Sequence, residues 1–257
     1  METSDLDKLL DCAVEAVRTA GQYALDNYGR RAEVAVEQED DVKLLLDMEC
    51  QERIFELIRS RFPNHELLGE EGSSASTGSS YRWIVDPIDG TINFSHGLPI
   101  WCSSVAVQRD GETLAGAVYA PMIDRCYYAS AETAAYCNDE RIAVSTTEHL
   151  EDAMVLSGFP KRMKHDDESR ALFDQMLGSA QRTRIYGAAA LDLCFVANGG
   201  ADAYVERGIY IWDIAAAALI IERAGGRTRI LDRIGDGKLC FLAANPQIFD
   251  QLLEFGS

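Results

Sequence analysis

Trp83-Ile84-Val85-Asp86-Pro87-Ile88-Asp89-Gly90-Thr91-Ile92-Asn93-Phe94 is the stretch on which the reading of the chain turns. Its apolar head, Trp83 to Val85, predicts a buried strand that delivers two carboxylates, Asp86 and Asp89, into a Pro/Gly turn. Pro87 fixes the backbone between them, and Gly90 permits a sharp reversal. Thr91 or Asn93 offers a cap for a following helix, whose first amides would face the same spot. Two anionic oxygens at a strand end, opposite bare N–H groups, suit hard cations bridged to a phosphate. The plainer alternative is that Asp-Pro and Asp-Gly are common turn dipeptides carrying no chemistry. The rest of the chain has to decide between them.

The chain has 257 residues, enough for one large domain or two closely joined ones, and its 47% hydrophobic and 26% charged residues are ordinary for a globular protein. No apolar stretch approaches the ~20 residues that span a bilayer, and the start Met1-Glu2-Thr3-Ser4-Asp5 lacks a basic leader. A formal charge of −18 argues against a nucleic-acid partner, because phosphates would be repelled unless a metal intervenes. The four histidines, His65, His96, His149 and His165, show no metal-ligand spacing, and the seven cysteines form no Cys-x-x-Cys pair and mostly sit in apolar company. They read as buried thiols in a reducing, cytoplasmic compartment.

Around the central stretch the pattern is layered. A helical apolar stripe runs from Leu6 to Leu25, a short strand is expected at 33–37, and the acidic run 37–41 reads as a solvated loop. A second helix is expected from about Lys43 to Arg61, with Asp47 near its start. On one reading Asp47 is a surface acid favoured by the helix dipole; on the other it points at a shared centre. Leu67-Leu68-Gly69-Glu70-Glu71-Gly72 ends a strand with two acids between glycines. The small polar run 73–80 suggests a flap near the site or, more plainly, a solvent-facing loop. Alternating apolar runs at 102–107 and 114–119 flank Asp110-Gly111 as a hairpin, with further strands at 125–130 and 134–136. Then come a helix at 166–180, a strand at 184–186, a helix at 188–197, a strand at 201–205 and a helix at 212–224 that Gly225-Gly226 stops. Strands near Thr228 and Leu239 and a helix at 246–255 complete the chain. This order predicts an α+β protein with an N-terminal half, 1–145, built on an antiparallel sheet, and a C-terminal half, 146–257, closer to α/β. The two are expected to pack as one globular unit with a cleft between them.

Acids recur at element ends: Glu70-Glu71, Asp86 with Asp89, and Asp213 in the helix start Trp212-Asp213-Ile214. Singly, Asp213 reads as a capping acid and Glu206 as an ordinary strand-end acid. Brought together, such carboxylates repel by ~4 kcal/mol per pair at 4 Å with an effective dielectric of about 20, so divalent cations would have to hold them. Oxygen-only ligands point to magnesium or manganese rather than zinc. Two-metal sites of this kind serve phosphate-monoester hydrolysis, among the slowest uncatalysed reactions.

On these residues the chain resembles the inositol monophosphatase family of the lithium-sensitive phosphatase superfamily, which also contains fructose-1,6-bisphosphatases. Trp83 to Phe94 resembles its first signature, and Trp212-Asp213-Ile214-Ala215-Ala216-Ala217-Ala218 with Ala224-Gly225-Gly226 its second. Gly69-Glu70-Glu71 and Gly199-Gly200-Ala201-Asp202-Ala203-Tyr204 are similar to its other two motifs, and the likeness runs in order over nearly the whole chain. The resemblance implies a five-layered α-β-α-β-α sandwich and a magnesium-dependent (manganese possible) phosphate-monoester hydrolase, above all an inositol monophosphatase. Attack would be in line, by a metal-activated water. It further implies that Glu70, Asp86 and the Ile88 carbonyl hold one magnesium, that Asp86, Asp89 and Asp213 hold a second, and that a weaker third leans on Glu70. Thr91 with Asp47 would orient the water, with Glu70 also in reach. The amides of Gly90 and Thr91 would hold the phosphate, while Asp89, the Ala189 amide and Glu206 would meet the substrate's hydroxyls. Phe159 to His165 and Gly187 to Ala190 would shape the pocket. Family members are commonly homodimers acting on small phosphorylated polyols or metabolites, without nucleic acid or membrane. Histidinol phosphate, fructose bisphosphate and 3'-phosphonucleotides are alternative substrates on the same core.

The chain departs from the family pattern in four places. No Lys occupies 36–41, leaving Lys43 as the substitute, and Leu44 stands where a Thr is usual. Ala188 follows Gly187 where Ser or Thr is frequent, and Asp139 replaces a Gly after Cys137-Asn138. None deletes a magnesium ligand; they bear on substrate, third metal and lithium response. Haloacid-dehalogenase-type phosphatases need Asp-x-Asp-Gly-Thr, and Pro87 stands where their nucleophile would be. A non-catalytic cation-binding protein would be expected to have lost some of Glu70, Asp86, Asp89, Thr91 and Asp213, and all are present.

Overall fold

The computed structural model describes residues 5–38, 41–159 and 168–253. Helix α1 (Asp5–Asp26) is followed by a hairpin of β1 (Val34–Gln38) and β2 (Asp41–Leu44), then α2 (Leu45–Arg61). Next come β3 (Glu66–Gly69), β4 (Gly72–Ser73), β5 (Tyr81–Asp89), α3 (Thr91–His96), β6 (Cys102–Arg109), β7 (Glu112–Ala120), β8 (Arg125–Ser130), β9 (Tyr136–Cys137) and β10 (Glu140–Arg141). The remainder contributes β11 (Met154–Ser157), α4 (Glu168–Ser179), β12 (Arg182–Arg184), α5 (Ala189–Ala197), β13 (Ala203–Ile209), α6 (Ile211–Arg223), β14 (Arg227–Gly235), β15 (Lys238–Ala244) and α7 (Pro246–Leu253).

One sheet has eight strands in the order β10-β9-β8-β7-β6-β5-β3-β4, antiparallel except where β3 runs parallel to β5. The other has five, β12-β11-β13-β15-β14, with β11 parallel to both β12 and β13. Helices α1 and α2 cover the outer face of the larger sheet, α5 and α6 lie between the sheets, and α4 and α7 cover the smaller one. The five layers expected from the resemblance are present: one apolar cluster lies under each outer helix layer, and a third surrounds α5 and α6 and reaches both sheets. Two close approaches fix the spacing. A Cβ on Gly21 of α1 would lie 2.7 Å from the Tyr119 ring, and one on Gly116 of β7 would lie 2.8 Å from the Ala216 backbone of α6. Small residues there let both helices sit tight on the sheet.

Several expected boundaries shift. The second helix starts at Leu45, not Lys43, because 41–44 pairs antiparallel with 34–38. Most of the expected acidic loop is therefore strand; Glu39 and Asp40 lie outside the described residues. The strand expected at 184–186 is Arg182–Arg184, and 185–187 is a turn in which Gly187 takes φ +81°. Strand β13 runs to Ile209, beyond the expected 205. Met154–Ser157 is a strand that the sequence pattern does not announce. It is an apolar run of only four residues, too short to separate from loop by periodicity. The helix expected at 166–180 is described from Glu168.

The 73–80 run is no flap over the acids. Ser74 bonds Leu67, Ser76 Oγ donates to Glu66, and Thr77 Oγ1 donates to the Asn64 carbonyl. It therefore runs back along β3 toward its start, away from Glu70. Asp139, in the tight turn between β9 and β10, adopts φ +68° and accepts the Tyr128 hydroxyl, so an Asp serves where Gly was expected.

Candidate active site

Two residues three apart on a regular strand point to opposite faces. Asp86 and Asp89 reach one centre because the β5–β6 ladder is irregular between them: Asp86 pairs with Ser104 and Asp89 with Cys102, so three steps on β5 face two on β6. This bulge supplies the extra residue that turns Asp89 back to the face of Asp86. Pro87 sits inside it, where no ladder N–H is needed, and its carbonyl accepts the Ser103 hydroxyl at 2.7 Å. The strand thus continues through the segment expected to be a turn. The reversal comes at Gly90, with φ +88°, where a Cβ would meet the Ile100 carbonyl at 2.9 Å and Ala188 at 3.0 Å.

Three further elements bring acids to this centre. The parallel register sets Gly69 beside Val85, and the Glu70 amide donates to the Val85 carbonyl, which puts Glu70 next to Asp86. Asp47 is the third residue of α2 and Asp213 the third of α6. Each lends one carboxylate oxygen to the amide just before its helix, Leu44 at 3.2 Å and Tyr210 at 2.8 Å. Carboxylate oxygens of Asp86, Asp89 and Asp213 all lie within 4.8 Å of one another. Burial first, then the charge of Glu70 with those of Asp89, Asp213 and Asp47, raises the Asp86 carboxyl well above the usual carboxylate range. Burial likewise raises Asp213, helped by Asp89 and Glu70, and pushes Asp89 up to about 6 despite backbone amides that favour its anion. Among the described residues Asp86 Oδ1 is buried with no hydrogen-bond partner, and no Lys or Arg pairs with these three aspartates. A bare buried carboxylate oxygen amid like charges is what a cation would neutralise. The all-oxygen donor set fits a hard divalent ion.

Asp89 does two things at once. Its oxygens accept the Ala189 amide at 3.1 Å and the Ala190 amide at 2.7 Å, so this carboxylate caps α5 from another strand. That explains how Ala188 is tolerated at the N-cap without a hydroxyl. It also means that the Ala189 N–H, expected to face substrate, already has an acceptor. The Thr91 hydroxyl donates to the Ile88 carbonyl at 3.0 Å, which ties together two residues expected to serve the same centre.

Beside the acids lies a pocket of about 280 Å³, at the small end of ligand pockets and sized for a compact metabolite. Asp89, Gly187, Ala189, Glu206 and Asp213, all expected site residues, line it, as does Phe159; residues 160–165 lie outside the described residues. Glu206 receives the Tyr204 hydroxyl and lies against Gly158, where any Cβ would collide with its carboxylate. Burial pushes Glu206 up to about 7. Asp192 and Gln51 are site residues that sequence reasoning misses. Asp192 lines the pocket, 1% exposed, its only signal a single charge inside an apolar helix. Gln51, one turn after Asp47, accepts the Glu71 amide at 3.1 Å and steadies the strand end that carries Glu70. The Lys43 side chain lies outside the described residues. No helix among the described residues is long and apolar enough to cross a membrane.

Comparison with known proteins finds relatives over nearly the whole chain. The family model described as "Inositol monophosphatase family" matches residues 5–244. A protein of Aquifex aeolicus named fructose-1,6-bisphosphatase/inositol-1-monophosphatase is 36% identical, over 97% of this chain and 96% of its own. An inositol monophosphatase of Dictyostelium discoideum is 33% identical over 98% and 96%. The crystal structure of the extragenic suppressor protein suhB of Bartonella henselae superposes with a TM-score of 0.90 at 30% identity, over 97% of this chain and 98% of that one.

Proposed function

The chain belongs to the inositol monophosphatase family, and from that premise we propose that it is a magnesium-dependent phosphatase whose substrate is an inositol monophosphate. The observation that carries the reading is the convergence of Asp86, Asp89 and Asp213 around a bare buried oxygen, beside a small pocket whose wall includes Ser157, Tyr204, Asp192 and Glu206. Asp86, Asp89 and Asp213 would hold one ion, and Glu70, Asp86 and the Ile88 carbonyl another, with Glu70 also the support for a weaker third. Ions held there would make a water acidic enough to serve as nucleophile and would offset the charge that builds on the leaving oxygen.

The remaining roles belong to the chain itself. Thr91 and Asp47 orient the attacking water, and the Gly90 and Thr91 amides hold the phosphate. Glu206, kept in place by the Tyr204 hydroxyl, accepts a hydrogen bond from the leaving alcohol. The Ala189 amide acts by fixing Asp89, whose oxygens also face the pocket. Residues 1–145 carry Asp47, Glu70, Asp86, Asp89 and Thr91, and residues 146–257 carry Gly187, Ala189, Glu206 and Asp213, so each half supplies one side of the cleft. We take the working form to be a cytoplasmic homodimer.

A second reading has an observation of its own. Asp192 and Glu206 on the pocket wall also suit a cationic leaving group such as that of histidinol phosphate. Phosphate release with and without Mg²⁺ decides, measured on inositol monophosphate, histidinol phosphate, fructose bisphosphate and a 3'-phosphonucleotide. Highest kcat/KM on inositol monophosphate is expected. Preference for histidinol phosphate moves the substrate and keeps the cation site; magnesium-independent release, or none, overturns the reading.

A further inference from the structure

Trp83 is fully buried, and its indole N–H donates to His65 Nδ1 at 3.0 Å. The His65 ring lies between two others. It is parallel to Tyr81, with 4.6 Å between centroids and 4° between planes, and nearly parallel to Phe62, at 4.9 Å and 16°. An indole nitrogen donates and cannot accept. The contact therefore admits only the imidazole whose Nδ1 carries a lone pair, the neutral ring with its proton on Nε2. An imidazolium would set N–H against N–H and strand a buried donor. The charged groups on the surrounding elements are engaged elsewhere. Arg61 of α2 pairs with Glu15, and Glu66 of β3 takes Arg82 of β5 and the Ser76 hydroxyl. Arg109 of β6 donates to the Tyr81 hydroxyl at 3.4 Å, and segment 73–80 has no charged residue. Burial alone lowers the His65 imidazole below the usual histidine range.

The pair sits at a junction. His65 lies between α2, which carries Asp47, and β3, which leads to Glu70; Trp83 lies in β5, three residues before Asp86. Leu67 and Trp83 are register partners, so the bond closes the end of the β3–β5 ladder opposite the acids. At ~3.3 Å per strand residue, those acids begin about 10 Å away. We propose that His65 and Trp83 form a latch that acid opens: protonating His65 breaks the indole bond, loosens the α2–β3 junction that places Glu70, and so weakens the grip of the acidic centre on divalent cations. The unfolded chain takes this proton at the ordinary histidine value, and the folded ring takes it lower. The bond's contribution is whole above the ordinary value and is lost as pH falls through the folded ring's own.

The latch itself is independent of the proposed activity; its effect on the centre rests on the cation-site reading, and the test keeps the two apart. Nitrogen-15 spectra of the magnesium-loaded protein read the latch. His65 Nδ1 is expected to be unprotonated at pH 7.5 and to titrate below about 6.5, the ordinary histidine value. The Trp83 Nε1–H resonance should shift with it, and its protection from solvent exchange should drop at least tenfold. Trp83→Phe, which removes the donor, should move the His65 titration back up. His65→Asn keeps an acceptor that does not titrate, and should hold the Trp83 resonance still from pH 7.5 to 5. The centre is read by the magnesium concentration that gives half of the rise in Tm. The ratio of that concentration, wild type over His65→Asn, cancels the protons that the acids themselves take up. It is expected to be about 1 at pH 7.5 and at least threefold at pH 5. A His65 titration at or above the ordinary value overturns the latch, and so does a Trp83 resonance that does not move through it. A ratio that stays at about 1 while the bond opens confines the opening to the junction and overturns the switch. Magnesium that raises Tm at no pH sinks the cation-site reading, while the two resonances still judge the latch. Should His65→Asn fail to fold, the shift of the His65 titration in Trp83→Phe decides.

Discussion

Asp47 and Asp213 answer a question that residue-by-residue reading leaves open: whether an acid in a helix's first turn is a cap or a ligand. Each is third in its helix and gives one oxygen to the preceding amide. The second oxygen of Asp213 is free for the shared centre, so it serves both purposes. Asp213→Asn keeps an acceptor for the Tyr210 amide. It should therefore melt within about 1 kcal/mol of wild type, the size of one cap, while cation-dependent activity falls at least a hundredfold; thermal melts and phosphate release measure the two. Asp86 has no such double use. Asp86→Asn replaces a carboxyl whose charged form burial and neighbouring acids oppose, and should raise the cation-free Tm. Activity should fall about a thousandfold and the cation-induced rise in Tm should vanish. An unchanged cation shift would show that the ion binds elsewhere. The acids that form motifs are legible in the sequence because spacing and turn chemistry mark them. Asp192 and Gln51 are not, because a lone polar residue in a helix gives no sign of the pocket it will line or the backbone group it will hold.

At the scale of elements, sequence pattern finds most helices and strands and loses the ones whose pairing is not local. Met154–Ser157 is a strand only because β12 and β13 flank it in parallel register. The bulge at Asp86–Asp89 is invisible until β6 is laid beside β5. Gly90 is legible as a reversal, but not as a contact with Ile100 and with Ala188, which comes from the far half of the chain. Two glycine substitutions separate these effects. Gly225 takes φ +95°, and a Cβ there would have nothing within 4 Å, so Gly225→Ala should cost only the backbone term, about 1 kcal/mol, with activity intact. Gly90→Ala has similar φ but meets a backbone carbonyl at 2.9 Å. It should cost more than Gly225→Ala in a denaturant melt and abolish most activity, because α3 and the 185–187 turn must part to admit it.

For the whole molecule, the acids of the site oppose the fold that gathers them. With no cation bound, Asp89 at about 6 and Glu206 at about 7 hold protons in the folded chain that the unfolded chain has released. Folding is then favoured at the lower pH, and this contribution is lost as pH rises from about 4 through 6 to 7. The Tm of EDTA-treated protein should fall by roughly 5–10 °C between pH 5 and pH 8, taking about 2–4 °C per kcal/mol at this chain length. Magnesium should reverse the trend, its stabilisation growing with pH as the carboxylates ionise. A cation-free Tm that climbs with pH would contradict the shifts. The five-layer order is legible from the succession of elements and the family resemblance. The meeting of four element ends at one point is not, since it depends on sheet register and on the tight seating of α6 over Gly116.

All seven cysteines are free, six of them buried, and burial raises every one of their thiols, Cys50 and Cys126 to about 12. Thiolate is scarce in the folded chain, so alkylating reagents must wait for it to open. Cys102 is the informative one: its Sγ–H donates to Asp89 Oδ2 at 3.5 Å, directly behind the acidic centre. Its labelling rate is a stopwatch for that centre alone. Magnesium should slow the labelling of Cys102 far more than that of Cys12, which lies in α1 on the outer face of the larger sheet, and the ratio of the two rates separates breathing of the site from unfolding of the whole.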